Sequence, residues 1–175
     1  MIVLITGGSG SGKSAFAEET VMRLEAFPRY YIATMDCLDE ETRQRISRHR
    51  KMREGKAFIT LEQPVHLEQC VLPEKGVALV ECISNLIANE LYSPKGFAQE
   101  NPTEELPAYL FQGIRQLASQ CEHLVIVTNE VGSDGIVYDD STMGYIRIMG
   151  TVNAGLGAMA EEVYEVVYGI PLRTK

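Results

Sequence analysis

Residues 1–14 read Met1-Ile2-Val3-Leu4-Ile5-Thr6-Gly7-Gly8-Ser9-Gly10-Ser11-Gly12-Lys13-Ser14. An apolar run, Ile2 to Ile5, passes directly into Gly7-x-x-x-x-Gly12-Lys13-Ser14. This is the P-loop pattern in the strand–turn–helix setting it requires. Glycine has no Cβ, so the backbone can wrap closely around an anion. Successive N–H groups of such a loop point at phosphate oxygens, and the helix that follows adds its positive end. Gly7, Gly8, Ser9, Gly10, Ser11 and Gly12 would form the cradle. Lys13 would reach the β- and γ-phosphates, and the Ser14 hydroxyl would sit on Mg²⁺. A glycine-rich turn with a chance Lys-Ser does not account for the full pattern behind a strand. The stretch predicts a nucleoside-triphosphate site at the carboxyl end of the first strand.

Outward from this start, apolar strands alternate with amphipathic helices. Strands are expected at 2–6, 30–33, 57–61, 77–82, 124–127 and 163–168. Helices are expected at 13–27, 39–54, 83–92, 103–120 and 141–160, with a loop at 93–102 and a short tail after 168. Near-continuous apolar strands separated by helices imply an α/β fold, a mostly parallel sheet with helices on both faces. No repeat or linker divides the chain, so residues 1–175 read as one domain. Ligands in such sheets collect beyond the carboxyl ends of the strands. Those ends are Thr6-Gly7, Ala33-Thr34, Glu62, Glu81 and Thr128-Asn129-Glu130.

Composition removes several classes of partner. A net charge of -8 disfavours general binding to nucleic acid or anionic membranes. Cys37, Cys70, Cys82 and Cys121 show neither a C-x-x-C pair nor metal-site spacing, and read as reduced thiols. No basic leader and no apolar run long enough for a bilayer is visible, so a cytoplasmic protein without a membrane anchor is expected.

Glu81 closes the most apolar strand, Val77-Ala78-Leu79-Val80-Glu81. A carboxylate there stands where P-loop proteins hold Mg²⁺, directly or through water. The alternative is a strand-end carboxylate that caps the next helix. A second feature is a basic run in an acidic chain: Arg43, Arg45, Arg48, Arg50, Lys51, Arg53 and Lys56. Arg45, His49 and Arg53 are spaced i, i+4, i+8 and share one helical face. Guanidinium groups on either side of an imidazole could hold phosphate oxygens and keep the ring neutral and nucleophilic. The run reads equally as a solvated helix face carrying a bystander histidine. His66 and His123 lack such a setting. Thr128-Asn129-Glu130-Val131-Gly132 follows a buried strand and could orient substrate or γ-phosphate, or serve only as turn chemistry. There is no N-K-x-D or D-x-x-G motif, which argues against a Ras-like GTPase and leaves the base open.

Taken in order, these segments resemble one family, the bifunctional adenosylcobinamide kinase / adenosylcobinamide-phosphate guanylyltransferases of cobalamin biosynthesis. The resemblance runs through the P-loop, Tyr31-Ile32-Ala33-Thr34, Asp39-Glu40-Glu41 and Arg45-Ile46-x-x-His49-x-x-x-Arg53. It continues through Thr60-x-Glu62-x-Pro64, Glu81-Cys82-Ile83-Ser84-Asn85, Asn89 and Thr128-Asn129-Glu130-Val131-Gly132. Gly135-Ile136-Val137, Gly150-x-x-Asn153 and Gly169-Ile170-Pro171-Leu172 complete it. The chain departs from the family pattern at Phe58, Tyr138, Ile146, Arg147 and Thr151, and in a longer loop at 132–135.

The resemblance implies two reactions. ATP or GTP phosphorylates adenosylcobinamide; GTP then transfers GMP to that phosphate through a GMP–histidine, which falls on His49. It implies nucleotide contacts at Gly7 through Ser14, at Ala33, Thr34 and Met35, at Arg50, Lys51, Met52 and Arg53, and at Glu62 and Glu81. It also implies Mg²⁺ on Ser14 and Glu81, a RecA-like core and a homotrimer. Two other readings differ in outcome: a P-loop small-molecule kinase without nucleotidyl transfer, and a nucleotide-binding module without turnover.

Overall fold

The computed structural model describes residues 1–36, 47, 55–132 and 135–175. Its strands are β1 (Ile2–Thr6), β2 (Arg29–Ala33), β3 (Phe58–Glu62), β4 (Val77–Glu81), β5 (His123–Val127), β6 (Glu162–Val167) and β7 (Ile170–Arg173). The helices are α1 (Lys13–Arg23), α2 (Ile83–Tyr92), α3 (Leu106–Gln120) and α4 (Asp140–Met159). The strands form one sheet in the order β3-β2-β4-β5-β1-β6-β7. Every neighbouring pair is parallel except β6 and β7.

Strand residues alternate between two apolar layers, because successive side chains point to opposite faces. Val3, Ile5, Tyr31, Leu79, Val125 and Val127 pack against Phe16, Ala17 and Val21 of α1. Leu4, Ile32, Val80, Leu124 and Ile126 pack on the other face against α2, α3 and α4, through residues such as Leu86, Ile114 and Val152. Both faces are covered, which is why the strands read as unbroken apolar runs rather than as alternating ones. The parallel register aligns Ala33 with Glu81, Glu81 with Val127, and Ile5 with Val127. Gly7, Thr34, Glu81 and Thr128 therefore share one edge of the sheet, as expected. This is the mostly parallel sheet with helices on both faces that the alternation of apolar strands and helices predicts.

Some boundaries move. The first helix stops at Arg23 rather than near residue 27: the Leu24 N–H donates to the Thr20 and Val21 carbonyls, and Glu25 turns to φ 50°. The apolar Ala26 and Phe27 belong to the turn into β2. The helix expected from 103 opens with a 3-10 turn at Thr103–Glu105 and becomes α-helical at Leu106. The expected tail after 168 is in fact a strand, β7, paired antiparallel with β6. Tyr168 and Gly169, both at positive φ, form the two-residue turn between them. Pro171 hid this strand in the sequence, yet proline is tolerated where a strand lies at a sheet edge. The helix expected at 39–54 falls outside the described residues apart from Ser47, whose backbone is helical.

Candidate active site

The P-loop joins the carboxyl end of β1 to the amino end of α1. Two of its glycines are required by what packs on them. Gly7 lies at φ 153°, and a Cβ there would come within 2.6 Å of the Val166 carbonyl oxygen. Gly12 lies at φ 93°, and its Cβ would stand 3.2 Å from Gly169 Cα. The β6–β7 hairpin thus presses on the loop, and the Gly169 N–H donates to the Ser11 carbonyl at 2.8 Å. By contrast, a Cβ at Gly8 would meet nothing within 4 Å. Lys13 is largely buried, and its Nζ donates to the Gly8 carbonyl at 2.9 Å, arching over the cradle. Burial pulls the Lys13 pKa below its ordinary value; nearby Cys82 and Glu81 oppose that shift.

Glu81 ends β4, with β5 lying between that strand and β1. Its Oε1 accepts a hydrogen bond from the Ser14 hydroxyl, and its Oε2 accepts one from the Tyr31 hydroxyl at 3.3 Å. A hydroxyl and a carboxylate oxygen thus meet beside the lysine. Tyr31 was part of the sequence resemblance but had no role there; in the structure its hydroxyl contacts the Glu81 carboxylate from the neighbouring strand.

Past the ends of β2, β4 and β5 the polar side chains form a chain of hydrogen bonds. Thr34 N–H donates to the Glu81 carbonyl at 3.2 Å, and the Thr34 hydroxyl to the Cys82 carbonyl at 2.8 Å. Asn89 donates from one amide nitrogen to the carbonyls of Thr34 and Pro64, at 2.8 and 2.9 Å. Asn129 donates to the Ser84 hydroxyl at 2.6 Å, and Asn153 donates to the Asn129 carbonyl at 3.0 Å. The Thr128 hydroxyl donates to the Asn153 amide oxygen at 2.6 Å. Segments far apart in sequence, 33–34, 64, 81–89, 128–129 and 153, become one framework. Asn89 and Asn153 were recognisable only as matched letters; their partners are set by tertiary contact. Cys82 lies inside this framework 3.0 Å from the Ser84 hydroxyl, and burial raises its pKa.

The site residues expected from the sequence fall into three groups. Gly7 through Ser14 and Glu81 are brought together; Ala33 ends β2, the strand beside β4, and Thr34 and Met35 follow directly after it. Glu62 ends β3, the exposed edge strand, four strand spacings or about 19 Å from β1. It is not part of the P-loop cluster. His49, Arg50, Lys51, Met52 and Arg53, with Arg45, lie outside the described residues. Of the other histidines, His123 opens β5 at the sheet edge opposite the P-loop, and His66 Nδ1 pairs with the Tyr109 hydroxyl at 2.7 Å.

Among the described residues no cluster of three or more His, Cys, Asp or Glu could cage a metal. A P-loop Mg²⁺ needs none, since phosphate oxygens and water complete its shell around one hydroxyl and one carboxylate. The Ser14–Glu81 pair fits that donor set. No helix among the described residues is long and apolar enough to cross a membrane.

A P-loop between β1 and α1, with an acid one strand removed and in contact with the loop's serine, defines a nucleotide-binding P-loop protein. The model of the cobinamide kinase / cobinamide phosphate guanyltransferase family matches residues 3–174, and the chain belongs to that family. It is thus an enzyme of the kinase and nucleotidyltransferase type in cobalamin biosynthesis. It is 34% identical over 187 residues to the bifunctional adenosylcobalamin biosynthesis protein CobU of Escherichia coli (strain K12), with both chains fully covered. It is 35% identical over 188 residues to the CobU of Salmonella typhimurium (strain LT2), again with full coverage. Among solved structures, it is similar to the flagellar accessory protein FlaH of Methanocaldococcus jannaschii, with a TM-score of 0.47 and 17% identity over 94% of this chain and 70% of that one. The RadB recombinase gives a TM-score of 0.47 and 14% identity, over 94% of this chain and 73% of that one.

Proposed function

We propose that this chain phosphorylates the aminopropanol hydroxyl of adenosylcobinamide with ATP or GTP, then transfers GMP from GTP to the resulting phosphate, giving adenosylcobinamide-GDP. The observation that carries the first step is the Ser14–Glu81 contact beside Lys13. The loop N–H groups and Lys13 hold the β- and γ-phosphates and offset charge as the γ-phosphoryl group moves. The substrate oxygen attacks the γ-phosphorus, the bond to the β–γ bridging oxygen breaks, and a nucleoside diphosphate leaves. Ser14 and Glu81 would hold Mg²⁺, which would supply charge neutralisation for the transfer. Tyr31 holds the carboxylate in place for it.

The second step rests on the basic segment in the sequence. A neutral His49 ring nitrogen attacks the α-phosphorus of GTP, and pyrophosphate departs. The phosphate oxygen of adenosylcobinamide phosphate then attacks the same phosphorus and frees the histidine. Arg50, Lys51, Met52 and Arg53 contribute nucleotide contacts, as do Ala33, Thr34, Met35 and Glu62. We also propose one domain over residues 1–175, a homotrimer and a cytoplasmic location.

Incubation with α-labelled GTP followed by denaturation tests the reading. Acid-labile label on the protein supports the two-step activity. Adenosylcobinamide phosphorylation without protein label would leave only a small-molecule kinase. Light scattering that found a monomer at working concentration would remove the trimer.

A further inference from the structure

A pocket of about 440 Å³ opens just past the end of β2, against the last turn of α2. Its mostly apolar lining includes Asp36, Ala88, Asn89, Tyr92, Pro94 and Lys95. The activity above gives none of these a task. Two of the walls are held in advance. The Asn89 amide nitrogen donates to the Thr34 and Pro64 carbonyls at 2.8 and 2.9 Å. Both partners need a donor, so the amide can sit only one way round, and its oxygen keeps its acceptor capacity. Tyr92 is 55% exposed, yet its hydroxyl is tied to the Ser141 carbonyl and hydroxyl at the start of α4, at 3.2 Å each. A ring held at both ends in solvent is a prebuilt apolar wall, with little rotamer freedom left to lose on binding.

Charge narrows the ligand. Asp36 and Lys95 bring one charge of each sign, and among the described residues no second cation lines the pocket. The last turn of α2 adds the negative end of its dipole. A phosphate would want the opposite: clustered cations or converging N–H groups. The lining suits a neutral, largely apolar body that carries amide donors and acceptors. A primary carboxamide on such a body can give its NH₂ to the Asn89 oxygen or to Asp36, and can accept from Lys95 at its carbonyl.

The pocket is wired to the P-loop through Thr34. The Thr34 carbonyl takes the Asn89 bond, its N–H donates to the Glu81 carbonyl at 3.2 Å, and the Glu81 carboxylate accepts from Ser14. Its face is also distinct. α2 packs on the side of the sheet that carries Ile32 and Val80, and α1 packs on the other. Lys56, the last member of the basic run, pairs with Glu18 on α1. The pocket therefore flanks the strand ends from the side opposite that pair, next to the nucleotide contacts proposed at Ala33, Thr34 and Met35. Group transfer needs its acceptor beside the donor in this way.

We propose that this pocket grips one carboxamide-bearing edge of the corrinoid acceptor, with Asn89, Tyr92 and Lys95 as specificity-determining residues. Cobinamide is a macrocycle whose rim carries primary carboxamides, which is the chemistry the lining selects. The proposal rests on adenosylcobinamide being the acceptor, as read above, and adds the place where its body is held.

Steady-state kinase assays test it by varying adenosylcobinamide at saturating ATP, and ATP at saturating adenosylcobinamide. Tyr92→Ala and Lys95→Ala replace exposed side chains, and circular dichroism should show the fold retained. Ala88→Leu narrows the pocket with a residue that favours helix. Each should raise KM for adenosylcobinamide about 10-fold or more, with kcat and the KM for ATP unchanged, as expected for an interaction made equally in ground and transition states. Equilibrium dialysis of adenosylcobinamide without nucleotide should show the same loss of affinity. Lys13→Ala should lose turnover and keep that affinity. A raised KM for ATP or GTP with an unmoved KM for adenosylcobinamide would make the pocket a base site and overturn the proposal. Normal phosphorylation with both KM values unmoved in all three pocket variants would remove the pocket alone. Wild-type protein that phosphorylates no adenosylcobinamide would remove the pocket and the functional reading together.

Discussion

The Ser14 hydroxyl on the first turn of α1 donates to the Glu81 carboxylate at the end of β4, across the width of the intervening strand β5. Two residues 67 positions apart thereby share one point beside the phosphate cradle. Their proposed common role as holders of Mg²⁺ makes a sharp expectation. Glu81→Gln keeps the shape and the acceptor toward Ser14 but removes the charge. Kinase turnover should drop by about a hundredfold or more, with partial recovery as Mg²⁺ is raised. Steady-state rates across a Mg²⁺ series check this, and an unchanged metal dependence would reduce Glu81 to a helix-capping group.

Lys13→Ala should abolish phosphoryl transfer and weaken triphosphate binding, while circular dichroism shows an unchanged fold. The side chain reaches back over the loop, where its Nζ donates to the Gly8 carbonyl. Burial lowers the Lys13 pKa from 10.5. Lysine is active when charged, so the free enzyme should lose kcat/KM with rising pH earlier than an ordinary lysine would. A pH profile of the kinase reaction, flat up to the ordinary lysine range, would contradict this.

Glu90 sits completely buried in α2 and accepts backbone N–H groups from His66 and Phe97, one on each oxygen. Glutamine can accept only one of these bonds, and its NH₂ faces the other donor. Glu90→Gln should cost about 1–3 kcal/mol, read as a lower denaturant midpoint. The pH dependence has a definite sign. Burial raises the native pKa of Glu90 above its unfolded value. Through that window the native state binds more protons, so the stabilising contribution is complete below the unfolded pKa and is lost as pH rises through the native one. Wild-type stability, measured relative to Glu90→Gln, should therefore decline with rising pH across that interval. A flat difference would place the native pKa at its ordinary value.

His49→Ala should abolish covalent attachment of GMP and formation of adenosylcobinamide-GDP, yet spare phosphorylation of adenosylcobinamide, which depends on the P-loop. His49→Asn should match it, because an amide is no nucleophile of this kind. Arg53→Ala should slow guanylylation and keep the label on His49. Mass spectrometry of labelled peptides decides the matter: GMP on another residue, or retained by the Ala variant, ends the assignment.

The sequence by itself determined what local rules encode. Lys13 and Ser14 follow their glycines at fixed spacing, so the loop and the helix it opens were readable in fourteen residues. The strands were readable because burial on both faces demands unbroken apolar runs. Glu81 could be placed at the sheet's ligand-bearing edge because it closes the most apolar of them. The length of α1 was misjudged, since Ala26 and Phe27 look helical until Glu25 breaks the chain direction. Only the tertiary structure decided which distant groups meet. Tyr31 on Glu81, Asn89 between Thr34 and Pro64, and Asn153 against Asn129 depend on strand order and register, which no local periodicity carries. The same holds for the hairpin: nothing near Gly7 or Gly12 in sequence reveals that Val166 and Gly169 press against them. Spacing along a chain encodes φ, ψ and facing. The choice of neighbours is made by burial of the whole sheet, and the framework around the P-loop exists only once that sheet is assembled.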